Sequence, residues 1–239
     1  VKAMSDAYIT ILDFNGFKNR KVKAIVFDMD NTLFDFVEAK LKACRAVVEY
    51  LGVGDEEELL KYFLRGLHGF EDSKNIADYM QDKGIYSPGK YEECCGIYEN
   101  IKLNHIEPYP KVKQILRNLK SMGLKLAVVT DAMNGHALSR LHKAGLIHFF
   151  DVIVSADMTG KRKPEPDSIK LALDKLGVDA ENAIMVGDSP RRDIEAGKNL
   201  GMVTAYAAYG DRNFFEKKKC KADFVLRDIG ELMKLYENK

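Results

Sequence analysis

Cysteine is scarce. The 239 residues hold four, Cys44, Cys94, Cys95 and Cys220. They show no C-x-x-C spacing, too few for a disulfide framework, and no matching His/Cys cluster accompanies them, so free thiols are expected and zinc is not. Long apolar runs are also missing. No stretch approaches the roughly eighteen residues of a membrane helix, and the N-terminus lacks the basic start and apolar core of a signal peptide. The expectation is a cytoplasmic protein. Neither sign of charge dominates, with 37 Lys and Arg against 36 Asp and Glu and a net charge of +1. No global field therefore draws nucleic acid or an acidic membrane, and an anionic ligand must be held by local groups. The basic run Lys217-Lys218-Lys219 reads as a solvated face. Internal repeats and low-complexity tracts are absent.

What is present is a soluble globular composition, 46% hydrophobic and 31% charged. It is enough for one large α/β domain, or a core with a smaller inserted unit. Residues 1–21 carry no chemistry and read as an edge hairpin or an N-terminal arm. Ala24 to Phe27 reads as a short central strand, apolar on both faces. Between Asp35 and Leu51, apolar residues at Phe36, Val37, Leu41, Cys44, Val47, Val48 and Leu51 mark an amphipathic helix stopped by Gly52 and Gly54. Helical patterns follow over 56–65, 73–81 and 90–103, so that residues 35 to 107 form an all-helical block.

Pro108-Tyr109-Pro110 closes that block, and a regular alternation begins. Helices are predicted over 112–122, 135–144, 167–176, 190–200 and 229–236. Strands are predicted over 124–129, 152–155, 183–186, 203–206 and 224–226. Strands alternating with helices of about ten residues imply βαβ units and a parallel sheet. The expected fold is therefore α/β, a Rossmann-like parallel sheet core with helices on both faces (22–34 and 108–239) and an inserted helical domain (35–107).

Polar groups collect at the strand ends. Asp28 and Asp30 follow the first strand, at the carboxyl edge where open α/β sheets bind ligands. Two carboxylates there can hold a hard cation such as Mg²⁺, divide into a nucleophile and a general acid/base, or simply cap the next helix. Thr130-Asp131-Ala132 ends a later strand, where a hydroxyl and main-chain N–H groups can hold phosphate oxygens or cap a helix. Gly187-Asp188-Ser189 ends another, with Asp193 five residues beyond Asp188. Asp188 and Asp28 meeting at one edge would build a cation site. Asp193 either reaches back to support it or pairs with Arg191 or Arg192. Lys163 is restricted by Pro164; its ammonium can offset clustered aspartates and pair with a phosphoryl oxygen.

Asp28-Met-Asp30-Asn-Thr32, Thr130, Lys163 in a Lys-Pro-x-Pro context, and Gly187-Asp188-x-x-x-x-Asp193 together resemble the haloacid dehalogenase-like hydrolase superfamily, in order and spacing, over about residues 22 to 237. The resemblance implies a Mg²⁺-dependent phosphatase acting on a small phosphorylated metabolite, of the sugar phosphate, triose phosphate or phosphoglycolate type. Asp28 would be the nucleophile, forming an aspartyl-phosphate. Asp30 would be the general acid/base, its pKa raised by a crowded, desolvated setting. Mg²⁺ would be held by Asp28, the Asp30 carbonyl and Asp188, with Asp193 behind them. Thr130, the amide near Asp131, and Lys163 would hold the phosphoryl group. The helical block takes the position of a cap that closes over small substrates, with hinges near 34–36 and 108–110. Arg65, His68 and Lys74, near breaks in that block, are either substrate contacts or ordinary surface.

A 2-haloacid dehalogenase is the first alternative, opposed by the presence of Asp30. A phosphomutase, which shares every motif, is the second. A non-catalytic binding module is disfavoured, because none of the motif residues is lost. No nucleic-acid or membrane partner is expected, and the assembly would be a monomer or small homo-oligomer. One departure stands out: many relatives carry Asn where this chain has Asp131, and the role of that extra carboxylate is open.

Overall fold

The computed structural model describes residues 9–10, 21–212 and 220–235. The Lys217–Lys219 run lies outside the described residues. In chain order the strands and helices are β1 (Ile9–Thr10), β2 (Lys21–Val22), β3 (Ala24–Phe27), α1 (Phe36–Leu51), α2 (Glu56–Leu64), α3 (Lys74–Asp82), α4 (Pro88–Asn104), α5 (Val112–Ser121), β4 (Lys125–Val129), α6 (Asn134–Lys143), β5 (Val152–Val154), α7 (Ala156–Thr159), α8 (Asp167–Leu176), β6 (Ala183–Gly187), α9 (Glu195–Asn199), β7 (Val203–Ala207), β8 (Phe224–Leu226) and α10 (Glu231–Lys234). The chain divides into two units, one formed by the segments up to Asp35 and from Glu107 onward, the other by Phe36–Ile106.

The first unit is built on a six-stranded sheet of order β5-β4-β3-β6-β7-β8, every pairing parallel, with helices on both faces. β3 is central, and all four of its residues are fully buried, as expected for a strand covered on both faces. From β3 the chain winds outward through β4 to β5, then returns to the other side of β3 to lay down β6, β7 and β8. That reversal between β3 and β6 is a topological switch point, where a crevice opens at the carboxyl ends of the strands. α8 packs on β3, β4 and β5, and Ile169, Ala172, Leu173 and Leu176 fill the core with Val26, Val129 and Met185. Each such large side chain, fully buried, contributes about 1.5–3 kcal/mol. β1 and β2 form a separate antiparallel pair, Ile9 opposite Val22.

The helix expected over 190–200 is in fact two. Pro190–Ile194 is a π-turn and α9 follows it. The carbonyl of Ser189 accepts from both Asp193 N (2.9 Å) and Ile194 N (3.2 Å), while Ser189 N donates to the Asp193 carboxylate at 2.9 Å. Widening the first turn brings Asp193 inward, a distortion typical of functional sites. The final helix is shorter than its pattern, spanning Glu231–Lys234.

The two points where the chain leaves and re-enters this unit are stitched together. Phe34 and Pro108 form an antiparallel bridge, and Tyr109 N donates to the Leu33 carbonyl at 3.0 Å.

The second unit is helical. α1 packs along α4 and against α2, with Val37, Cys44, Val47, Leu59, Phe63, Ile76, Met80 and Tyr98 in the shared core. α2 starts at Asp55, whose side chain accepts from Glu58 N at 2.8 Å, a standard N-cap. Within this core Lys40 is fully buried. Its ammonium lies 3.6 Å from the Phe70 ring centroid and 4.1 Å from that of Phe63, and it donates to the Phe70 carbonyl.

Candidate active site

Three strand ends and one loop bring the site together at the switch point. β3 delivers Asp28, then turns through Asn31, which sits at φ 62°. Asn is among the few residues that adopt this left-handed region readily. The turn is closed by Leu33 N on the Met29 carbonyl (2.9 Å) and Asn31 N on the Phe34 carbonyl (2.8 Å). A close approach fixes it from outside: a Cβ on Gly210 would stand 1.6 Å from the Asn31 carbonyl oxygen, so only glycine fits. Tyr209 Oη donates to the Thr32 carbonyl at 2.8 Å.

β6 ends in Gly187, where a Cβ would lie 2.4 Å from the Asp193 side chain. The bare backbone therefore admits Asp193 beside Asp188. Thr32 joins the two strand ends. Its hydroxyl oxygen accepts from Asp188 N at 3.1 Å and lies 3.2 Å from Asp188 Oδ1 and 3.3 Å from Asp28 Oδ2, to one of which it donates.

Asp28, Asp188 and Asp193 are all buried, and each offers a carboxylate oxygen within 4.8 Å of the others. Lys163 answers them. Its side chain is 1% exposed; the ammonium pairs with Asp28 Oδ1, lies 2.7 Å from Asp193 Oδ1, and donates to the Val129 carbonyl at 3.0 Å. Burial alone would lower the Lys163 pKa, but the carboxylates of Asp193, Asp28 and Asp131 outweigh it and hold the ammonium charged. Burial, then the negative charges of Asp28 and Asp193, push Asp188 well above the ordinary carboxylate range. Asp193 moves the same way through burial, opposed by Lys163. Three ionised carboxylates and Asp131 outnumber the Lys163 ammonium and the nearby Arg192 guanidinium, which leaves a deficit of positive charge. An all-oxygen, anionic donor set of this kind fits Mg²⁺ rather than a softer metal.

Thr130, at the end of β4, is buried, and its Oγ1 accepts from Ala132 N at 3.2 Å, which leaves the hydroxyl proton available to a ligand. The Asp131 side chain turns elsewhere. Its Oδ1 accepts from Lys163 N at 3.0 Å and its Oδ2 from Arg192 Nη1 at 3.4 Å. The extra carboxylate thus ties down the loop that carries Lys163, and the half-exposed Arg192 offsets its charge.

Asp30 meets the crowded, desolvated setting expected of it only in part, since its Oδ1 is buried. Its side chain is 20% exposed and its Oδ2 accepts from Arg140 Nη1 at 2.7 Å. In the helical unit, Arg65 and His68 both turn to Asp78, the latter at 2.9 Å, and Lys74 is exposed.

Residues 25–207 match the family described as haloacid dehalogenase-like hydrolase. The chain belongs to that family. It is 30% identical over 226 residues to a glyceraldehyde 3-phosphate phosphatase of Methanocaldococcus jannaschii, covering 91% of this chain and 98% of the relative. It is 31% identical over 219 residues to a phosphoglycolate phosphatase of Aquifex aeolicus, with the same two coverages. Among solved structures, the Bacillus subtilis protein YfnB bound to magnesium superposes with a TM-score of 0.70 at 19% identity, over 91% of this chain and 99% of that one.

The sequence offered no task for Thr32 or Arg140, and offered Arg192 only as a partner for Asp193, whereas its guanidinium pairs with Asp131. For Arg140 a signal was available. Ala137, Arg140 and Leu141 are the buried residues of α6, so a charged residue stands on the apolar stripe of an amphipathic helix.

Proposed function

We propose that this chain is a Mg²⁺-dependent phosphatase that hydrolyses a small phosphorylated metabolite through an aspartyl-phosphate on Asp28. The observation that carries the reading is the buried Asp28, paired through Oδ1 with Lys163 and grouped with Asp188 and Asp193 at the switch point of the sheet.

The phosphoryl group of the substrate would be received by the Thr130 hydroxyl, the main-chain N–H near Asp131, and Lys163. Charge in the transition state spreads over its three equatorial oxygens, so fixed donors and cations supply most of the catalysis. Asp28 attacks phosphorus as the bond to the leaving oxygen breaks, and Asp30 gives that oxygen a proton. Asp30 then takes a proton from water as the water oxygen bonds to phosphorus. The acyl-phosphate bond breaks, inorganic phosphate leaves, and Asp28 is restored. Asp28, Asp188 and the Asp30 carbonyl would hold Mg²⁺, which supplies charge neutralisation between the anionic substrate and the anionic nucleophile. Asp193 would hold Lys163 in place from behind.

The helical unit, inserted between the nucleophile strand and β4, would act as a cap that excludes water and selects the substrate. Because Arg65 and His68 are engaged with Asp78, Lys74 is the better candidate for a substrate contact. The two relatives point to small phosphorylated acids and aldehydes as first candidates, and a soluble substrate of this class agrees with a cytoplasmic enzyme. Asp30 speaks against a dehalogenase, whose carbon attack needs no leaving-group acid.

The test is phosphate release from glyceraldehyde 3-phosphate, phosphoglycolate and a panel of sugar phosphates, with Mg²⁺ or with EDTA. Release should require Mg²⁺, and Asp28→Asn should lower it by about 10³-fold or more, as removal of a nucleophile does. Equal release in EDTA and by Asp28→Asn would sink the reading. A bisphosphate-primed exchange giving an isomeric sugar phosphate instead of free phosphate would reassign the enzyme as a mutase.

A further inference from the structure

We infer that Tyr209 and Gly210, on the loop after β7, are positioning residues that fix the turn after Asp28 in the shape the proposed Mg²⁺ site requires. The inference rests on the phosphatase reading in one respect, that Asp28, the Asp30 carbonyl and Asp188 hold the ion.

Residues 29–34 lie beyond the end of β3, so the strands alone do not fix the Asp30 carbonyl. Mg²⁺ tolerates little departure from octahedral oxygen ligation, and two of the three proposed ligands, Asp28 and the Asp30 carbonyl, begin this turn. One loop touches it at three points. The Tyr209 hydroxyl donates to the Thr32 carbonyl at 2.8 Å. The Gly210 backbone lies against the Asn31 carbonyl, and Arg212 pairs with Asp35. Gly210 also faces the other strand end: an added Cβ would stand 3.5 Å from Asp188 Cβ as well as 1.6 Å from the Asn31 oxygen. Its bare backbone is thus the spacer between the turn that carries Asp28 and Asp30 and the one that carries Asp188.

The Tyr209 hydrogen bond does more than satisfy one carbonyl. A water would satisfy it equally but would not hold it in place, whereas the Tyr209 ring is fixed. It stands edge-on to Tyr109, with ring centroids 5.3 Å apart and planes at 85°. Its backbone continues β7, which pairs with β6 as far as Gly187 opposite Tyr206. Tyr109 grips the same turn from its other end, its N donating to the Leu33 carbonyl at 3.0 Å. The path from β7 through Tyr209 to Thr32 then returns to Asp188, whose N donates to the Thr32 hydroxyl oxygen at 3.1 Å. Outer partners of this kind orient metal ligands, and their loss costs about 10–100-fold in metal affinity.

The readout is the Mg²⁺ concentration that raises the melting temperature of the whole chain by a set amount, measured with Mg²⁺ alone and no substrate. Tyr209→Phe keeps the ring and removes the donor. It should raise that concentration by about tenfold or more. Tyr79→Phe is the control, since Tyr79 Oη also donates to a main-chain carbonyl, that of Val53 at 2.9 Å, in the helical unit. Each variant loses one hydrogen bond, so both should lower the melting temperature without Mg²⁺ by about 1–6 °C. Tyr79→Phe should nonetheless leave the Mg²⁺ concentration within about twofold of wild type, as for an independent site. Gly210→Ala forces the Asn31 carbonyl aside and should weaken the Mg²⁺ response further; if that variant does not fold, Tyr209→Phe decides alone. An unchanged Mg²⁺ response in Tyr209→Phe or in folded Gly210→Ala, or an equal shift in Tyr79→Phe, would overturn the inference and leave the phosphatase reading intact. A wild-type protein that releases phosphate equally well in EDTA, and whose melting temperature ignores Mg²⁺, would overturn the Mg²⁺ reading and this inference with it.

Discussion

Lys163 and Lys40 are both withdrawn from water, one in each unit, yet they are matched in different ways. Lys163 is surrounded by charge: Asp28 and Asp193 contact it, and Asp188 stands next to them. Lys40 is surrounded by aromatic rings, those of Phe70, Phe63, Phe36 and Tyr98, and by the Phe70 carbonyl. The rings and the carbonyl are neutral partners, whereas the aspartates around Lys163 are anionic and outnumber it. Under the function proposed above, that surplus is where a cation and a phosphate would belong. A buried lysine is therefore no signpost by itself; the surplus of its partners is.

The largest expected effect comes from removing the charged case. Lys163→Met leaves Asp28 and Asp193 facing each other without a cation, and stability should fall by about 3–5 kcal/mol, the usual cost of breaking a buried pair. Phosphate release should fall by about 10²–10³-fold, as for loss of a preorganised charge partner. Urea unfolding and a release assay would read the two effects. A loss of stability no greater than that of the matching Lys40 variant would break the comparison.

Next in size is the response of the metal-free protein to pH. Asp188 and Asp193 have folded-state pKa values raised above the unfolded value of 3.8. The folded state therefore holds more protons than the unfolded chain once the pH exceeds 3.8, and stability drops as pH rises through the raised values. In EDTA the melting temperature should rise as the buffer is taken from neutral toward mildly acidic pH. With saturating Mg²⁺ that slope should flatten, because a cation that binds the ionised cluster stabilises the fold at neutral pH. An identical pH profile with and without Mg²⁺ would show that the cluster does not bind the ion.

The smallest effect should come from Lys40→Met. It keeps the stem, removes the cation–π attraction and leaves one carbonyl without its ammonium, so it should cost about 2 kcal/mol or less, with phosphate release within about threefold of wild type. A cost as large as that of Lys163→Met would mean that the helical core depends on charge as the sheet edge does.

Much of this molecule was legible in the sequence because its two signals are strong. The continuous apolar run of β3 and the helix–strand alternation after Pro110 dictate a parallel sheet, and α8 falls on the residues its pattern predicts. The strand-end aspartates, Thr130 and Lys163 were legible as a set, since each closes or follows an apolar run. What stayed hidden depends on side-chain direction. Periodicity places Asp131 at a strand end but does not reveal that its carboxylate turns to Lys163 N and Arg192. It reads 190–200 as one helix because a π-turn adds a residue without disturbing the polar pattern. It places Asp30 beside Asp28 but cannot see Arg140 arriving from a helix 110 positions later.

The hydroxyl of Thr32 meets Asp188 across 156 positions of sequence, and Lys163 meets Asp28 across 135. Closing loops of that length is entropically slow relative to local helix formation. The Thr32–Asp188 contact cannot form until β6 has docked beside β3, and the Lys163–Asp28 contact waits on the segment beyond β5. By then the helical segment between β3 and β4 has long been synthesised. A nascent or partly folded chain therefore holds its aspartates in water, hydrated and far apart. The charge crowding that defines the site comes into being with the last long-range pairings of the sheet, and catalytic competence should be gained late in refolding.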